Sequence, residues 1–341
     1  MTTRSPASGL PSAAPRLLAW ITGAFVCFHA SVDPDLWGHL KFGLDAIRDG
    51  GLAAIDPYSF NQGVTVVDHE WLGEVVEALA YRVGGVLGLE LLKAAVLAAA
   101  FALLADAARR AAEAARWWLL AAGIAAVAPA AYTFRPQLWS LLAIPALWWA
   151  LTRRRWLPCV ALIFPLWANL HGGWIVGAGA ASLWIVGTVI DARSVRVAIP
   201  AALALAAGLA ATLVNPYGWK LWQFMLTFRV SRNIGEFRPL WQQTDASFAV
   251  LWLLVAIGIV APTVTRRGTR LSWAGVLPTA WLAVMSLLVT RLLPFFSEVA
   301  VLGLAGAWRT AMRVTRTPFG NTDSRSPNSR VHEKRLRSTN S

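Results

Sequence analysis

The sequence predicts an all-α fold: a polytopic membrane bundle of about ten spans, with interfacial helices in a large first outer loop. Three observations carry that prediction. Hydrophobic residues make up 57% of the chain and charged residues only 14%, where soluble domains carry roughly a quarter charged; the mean hydropathy is +0.52. The apolar residues fall in runs long enough to cross a bilayer. Lys and Arg collect in alternate connections between those runs, which gives the net charge of +13 a sidedness.

In chain order the predicted spans are 16–31, 87–106, 117–133, 137–151, 156–170, 173–190, 197–214, 247–264, 272–289 and 292–308. Pro129, Pro145, Pro165 and Pro278 fall inside them, which a bundle tolerates when neighbouring helices satisfy the freed backbone groups. Many of the 19 tryptophans sit near run ends, where an amphipathic ring favours the headgroup level. The first run has no small-x-small cleavage site and leads straight into polar sequence, so a retained span is expected rather than a signal peptide. Cys27 and Cys159 both lie within apolar runs, and no disulfide is expected. Residues 1–15 read as a cytoplasmic tail, 16–308 as the membrane domain, and 309–341 as a basic, disordered cytoplasmic tail.

Orientation follows from the basic residues. With the N-terminus inside, Arg109, Arg110, Arg116, Arg153 to Arg155, Arg193, Arg196, Arg266, Arg267 and Arg270 all face the cytoplasm, as do both termini. Topology therefore explains the positive balance, and no nucleic-acid partner is expected. The same count assigns His69 to Gly85. If that segment crossed, every later span would flip and most of the arginine clusters would face outward. Its acids Glu70, Glu74 and Glu77 fall on one helical face, with Leu72, Val75, Val76 and Leu79 mostly elsewhere. This is the pattern of a helix lying along the interface. His39 to Asp49 reads similarly, and a connector around Asp56-Pro57 joins the two within an outer loop spanning 32–86.

On this topology the chemically interesting residues gather on the outer side. Asp33, Asp35, His39, His69 and Glu70 come from the first loop. Arg135, His171, Tyr217, Arg232, Arg238 and Arg291 come from the later ones. Each has a structural alternative. Asp33-Pro34-Asp35 can cap a helix beginning near Leu36, and Asp68 can cap the one after it. Asn169 to Gly173 and Asn215-Pro-Tyr217-Gly carry turn signals. Arg135 and Arg291 stand at span ends and can snorkel to headgroups. Glu90 and Lys93 read as an internal pair.

The motifs DPDLWGHLKFG, DPYSF, HEWLGEV, RPQLWSL, NLHGGW and VNPYGW, spread over residues 16–308, resemble a bacterial set of GT-C-like membrane proteins. One early span, a large outer loop with two juxtamembrane helices and an acidic motif at the span's end resemble the GT-C superfamily of glycosyltransferases. That superfamily includes the protein O-mannosyltransferases, the lipid A aminoarabinose transferase and the oligosaccharyltransferase catalytic subunit. The resemblance implies transfer of a sugar from a polyprenyl-phosphate carrier to an acceptor, at the outer face of a bacterial inner membrane. Asp33 or Asp35 matches the family's acid, acting as a base or, in some members, holding a divalent cation. Arg135, Arg232, Arg238 and Arg291 would bind the leaving phosphate, and His39, His69 and His171 would carry protons, donate hydrogen bonds or bind metal. An O-antigen ligase-like or polymerase-like protein, a transporter, and a lipid-binding protein without catalysis are the competing classes.

Overall fold

A computed structural model describes residues 13–29, 34–60, 63, 65–108, 120, 124, 133–228, 233–244, 249–250, 252–253, 255–256 and 272–314. Among them every regular element is helical, as expected of an all-α chain. The one strand-like feature described is an isolated bridge between Ile55 and Thr65, which closes the connector of the first loop. Most of the expected spans 117–133 and 247–264, and the tail after Val314, lie outside the described residues.

The helices are α1 (Ala13–Phe28), α2 (Pro34–Asp49), α3 (Trp71–Ala108), α4 (Gln137–Leu151), α5 (Val160–Leu170), α6 (Trp174–Ala192), α7 (Ile199–Ala211), α8 (Trp219–Thr227), α9 (Trp273–Leu288) and α10 (Leu293–Val314). Local sequence explains several boundaries. Pro34 opens α2, where its missing N–H costs nothing. Pro200 stands in the first turn of α7. Gly172-Gly173 separates α5 from α6. Two of the described helices, Trp71–Ala107 and Trp174–Ala192, are long and apolar enough to cross a membrane. Shorter apolar helices cover Arg16–Phe28, Gln137–Leu151, Ile199–Ala211 and Trp273–Leu288.

α3 is two segments. Gly85 sits inside it at φ 58° and ψ −142°, which ends one helix and starts another. Such a conformation is open to glycine and strained for other residues. The break falls where the sequence separated an interfacial segment ending at Gly85 from a span beginning at 87. The first segment, however, is turned over relative to expectation. Its acidic face, Glu70, Glu74 and Glu77, is buried, while Leu79 and Val83 are exposed. α2 covers that acidic face so closely that a Cβ on Gly43 would stand 2.0 Å from the Glu74 carbonyl oxygen.

The remaining helices run back and forth between two ends. Arg135 starts α4 at one end; Arg153 follows it at the other, where it pairs with Asp106 of α3. α5 returns to His171, α6 leaves again to Asp191, α9 returns to Arg291, and α10 leaves once more. α6, α9 and α10 pack through small residues. Gly187 lies against the Trp273 backbone and Gly275 against Gly303, contacts a side chain would prevent. At the far end Asp191 accepts hydrogen bonds from Trp273 N (2.9 Å), Ala274 N (3.1 Å) and Ser272 Oγ (2.6 Å). It caps α9 in trans, satisfying donors that no residue of α9 satisfies.

Candidate functional site

At the near end, six parts of the chain bring carboxylates, imidazoles and guanidiniums together. The first loop supplies Glu70 at the entry to α3. Asp68 Oδ1 accepts the Glu70 N–H at 3.1 Å, so Asp68 takes the turn-forming role that its position before a helix predicts. Glu70 then faces three histidines. Its Oε1 stands 3.5 Å from His69 Nε2 and 3.4 Å from His171 Nε2, and its Oε2 stands 3.9 Å from His39 Nδ1. His39, projecting from α2, also meets Glu74 Oε1 at 2.8 Å.

His171 is held by a chain of bonds that defines its proton. Trp167 Nε1 donates to Ser140 Oγ at 2.7 Å, leaving the Ser140 hydroxyl to donate to His171 Nδ1 at 2.5 Å. The Gly173 N–H points at the same nitrogen from 3.0 Å. With Nδ1 accepting twice, the neutral ring carries its hydrogen on Nε2, facing Glu70. Burial, followed by the positive charge of Arg291, holds His171 well below the usual imidazole range. Burial likewise lowers His69 and raises Glu70 and Asp68 above the usual carboxylate range. Gly173 is required here: a Cβ would stand 2.2 Å from Ser140 Oγ.

The guanidiniums lie alongside. Arg135, between Phe134 and Pro136, sets its Nη2 3.1 Å from Asp35 Oδ2 and its Nη1 3.4 Å from Glu236 Oε2. Arg291, in the turn between α9 and α10, sets its Nη1 2.5 Å from Glu236 Oε1. Its guanidinium lies over the Phe237 ring, 5.2 Å from the centroid. Both arginines act electrostatically on Glu70, lowering its carboxyl against the larger effect of burial. The α8 helix covers the histidines: Phe224 meets the His69 ring at 5.0 Å between centroids, and Trp222 meets Trp174 at 4.9 Å. On its other side Trp219 and Leu226 are exposed.

Of the residues predicted from sequence, Asp35, His39, His69, Glu70, Arg135, His171, Tyr217 and Arg291 converge on this end. Asp33 and Arg232 lie outside the described residues. Tyr217 follows an Asx turn, its N–H donating to Asn215 Oδ1 at 2.7 Å, and its buried hydroxyl makes no hydrogen bond among the described residues. Arg238 directs its Nη2 to the Asn233 carbonyl, and its own carbonyl accepts from Thr290 N. Asn169 is a structural tie, accepting from Trp71 Nε1 at 2.8 Å and donating to the Pro165 and Val214 carbonyls. Glu90 and Lys93 form the expected internal pair at 2.6 Å, and Lys93 also donates to the His29 carbonyl.

Sequence reasoning assigned no site role to Ser140, Trp167, Glu74, Glu77 or Glu236, and it left α8 inside a loop. Ser140 and Trp167 are a polar and an amphipathic residue within apolar runs, unremarkable until the helices pack. Glu236 carried a signal, as an acid among the loop arginines. Around the cluster, Glu74 Oε2, both Glu77 oxygens, Trp139 Nε1 and Trp174 Nε1 are buried without hydrogen-bond partners among the described residues. Buried polar atoms of this kind mark function or strain. Asp35, a candidate metal ligand from sequence, is engaged by Arg135. Among the described residues no group of three or more His, Cys, Asp or Glu side chains is placed to hold a metal ion. No family model, curated protein or solved structure matches the chain, so the chemistry of this site rests on its own geometry.

Proposed function

We propose that the chain is a glycosyltransferase, moving a sugar from a polyprenyl-phosphate donor to an acceptor at the outer face of a bacterial inner membrane. The observation that carries this reading is one carboxylate, Glu70, ringed by three imidazoles and set beside two guanidiniums at one end of an apolar bundle. Acid–base groups next to an anion-binding pair suit displacement of a phosphate by a hydroxyl or amide. Glu70 takes the proton from the acceptor as its oxygen or nitrogen bonds to the sugar's anomeric carbon. The bond from that carbon to the phosphate oxygen breaks, and the electron pair leaves on polyprenyl phosphate. A carboxylate raised by burial is suited to this step, since general-base help is greatest when the catalytic group titrates near the working pH. Of the two acids that the resemblance offers, Asp35 pairs with Arg135 and Asp33 lies outside the described residues.

Ten spans, both termini in the cytoplasm and the site on the outer side belong to the same proposal. The back-and-forth course of the described helices supports it, with Arg153 to Arg155, Arg193 and Arg196 all at the end away from Glu70. An apolar groove of about 320 Å³ between α1 and α3, lined by Trp20, Gly23, Cys27, Ala98 and Phe101 among others, has the chemistry to take part of a prenyl chain. The test is binding of polyprenyl phosphate, against unphosphorylated polyprenol, to the purified protein and its Arg135 and Arg291 variants. Phosphate should be preferred. Arg→Lys should weaken that preference by removing the planar fork, and Arg→Gln should weaken it further. Equal binding of phosphate and alcohol would remove the physical basis of the proposal.

One observation favours a second reading. Glu298 of α10 is fully buried, with neither oxygen hydrogen-bonded among the described residues, and an ionisable residue inside a membrane bundle often marks an ion or proton path. Proton uptake by reconstituted vesicles that disappears in Glu298→Gln would favour transport over transfer.

A further inference from the structure

The Glu236 carboxylate stands between the two guanidiniums that the transferase reading gives to the donor phosphate. Its Oε1 lies 2.5 Å from Arg291 Nη1 and 3.5 Å from Arg135 Nη1, and its Oε2 lies 3.4 Å from the latter. A carboxylate held in this way offers what one edge of a phosphate offers: two anionic oxygens to the Nη1 groups of two arginines.

Neither arginine depends on Glu236 alone for its position. Arg135 also meets Asp35 at 3.1 Å, and Arg291 also lies on the Phe237 ring. The backbone around Glu236 is anchored without its side chain. Thr290 Oγ1 donates to the Glu236 carbonyl at 3.0 Å, and Gln243 Nε2 donates to the Gly235 carbonyl at 2.7 Å and to Thr290 Oγ1 at 2.7 Å. Glu236 can therefore leave the pair by side-chain rotation, with the loop and both guanidiniums staying where they are.

We propose that Glu236 is an internal ligand of the Arg135–Arg291 pair, occupying the seat of the donor phosphate and giving way when that phosphate arrives. The proposal rests on the transferase reading above. A polyprenyl-phosphate sugar is a phosphodiester with one negative charge, so exchanging it for one carboxylate leaves the local charge balance unchanged. Before the donor arrives, Glu236 gives Arg291 an anionic partner and gives Arg135 a second one beside Asp35. After transfer, its return competes with the phosphate product and helps release it.

The experiment compares binding of polyprenyl monophosphate, with polyprenol as control, to the wild type, Glu236→Gln and Glu236→Asp. Removing the competing charge should tighten phosphate binding about tenfold in Glu236→Gln, the scale of one charge-assisted hydrogen bond. Glu236→Asp, which keeps the charge but not the reach to both arginines, should gain less, and polyprenol binding should not move. If the wild type prefers phosphate and Glu236→Gln binds it equally or more weakly, Glu236 merely positions the arginines; the proposal falls while the transferase reading stands. No phosphate preference in any of the three proteins overturns both. Should Glu236→Gln fail to fold, Glu236→Asp decides by the same signs.

Discussion

Glu70 and His171 pull the protein's stability in opposite directions with pH. Burial raises Glu70, so the folded state holds that proton more firmly than the unfolded chain does. Its stabilising contribution is present below the ordinary value of 4.5 and is lost as pH rises toward the folded value. His171 is lowered, so its contribution is present above 6.5 and is lost as pH falls through the folded value. Glu70→Gln should therefore melt higher, relative to the wild type, as pH rises from about 5 to 8. Thermal unfolding in detergent across that window measures the difference, and a constant offset would show that Glu70 does not titrate as described. Ser140→Ala tests the histidine's orientation. It removes a donor to His171 Nδ1 and the acceptor of Trp167 Nε1, and should cost about 1–3 kcal/mol of stability because a buried indole N–H is left unsatisfied. Ser140→Thr, which keeps the hydroxyl, should cost less.

The elements are set by where backbones must approach. α2 presses on α3 at Gly43, bringing His39 onto Glu74 and sealing the acidic face. Gly43→Val would push the two helices apart. It should cost about 1–3 kcal/mol, the usual scale of overpacking, and should reduce activity with it, because His39 and Glu74 move on different helices. Gly43→Ala should do the same in smaller measure. α3 also illustrates how amphipathic pattern is read. Spacing located the acids on one face, but the direction of that face depends on the surrounding medium. In water the acids would turn outward. Here Glu70 and Glu74 meet imidazoles, Glu77 is buried without a hydrogen-bond partner among the described residues, and Leu79 and Val83 are left outside. α8 completes the site's cover with Phe224 on His69 and Trp222 on Trp174, and leaves Trp219 and Leu226 exposed.

For the whole molecule, the alternation of helices separates an end bearing Glu70, Arg135 and Arg291 from one bearing Arg153 to Arg155, Arg193 and Arg196. If a bilayer lies between them, an impermeant thiol reagent added outside should label Gln243→Cys and leave Arg154→Cys and Arg196→Cys unlabelled until the membrane is opened. Labelling of both ends from outside would remove the membrane topology, and with it the assignment of the site to the outer face.

The sequence by itself determined the helical class, most helix positions among the described residues, and which polar residues stand out in an apolar chain. Periodicity and run length are local properties, and a polar residue in an apolar chain stands out wherever it lies. α4 occupies 137–151 as predicted, α6 and α9 begin within a residue or so of expectation, and Asp35, His39, His69, Glu70, Arg135, His171, Tyr217 and Arg291 meet at one end. Only the tertiary structure decided what each of them does. Asp35 became the partner of Arg135, Asn169 a tie between helices, and Glu70 the centre of three histidines. Glu236, 101 residues from Arg135 and 55 from Arg291, entered as the carboxylate joining them. A side chain's charge and hydrogen-bonding capacity are written in the sequence, but which partner satisfies it is fixed by the packing of helices far apart along the chain.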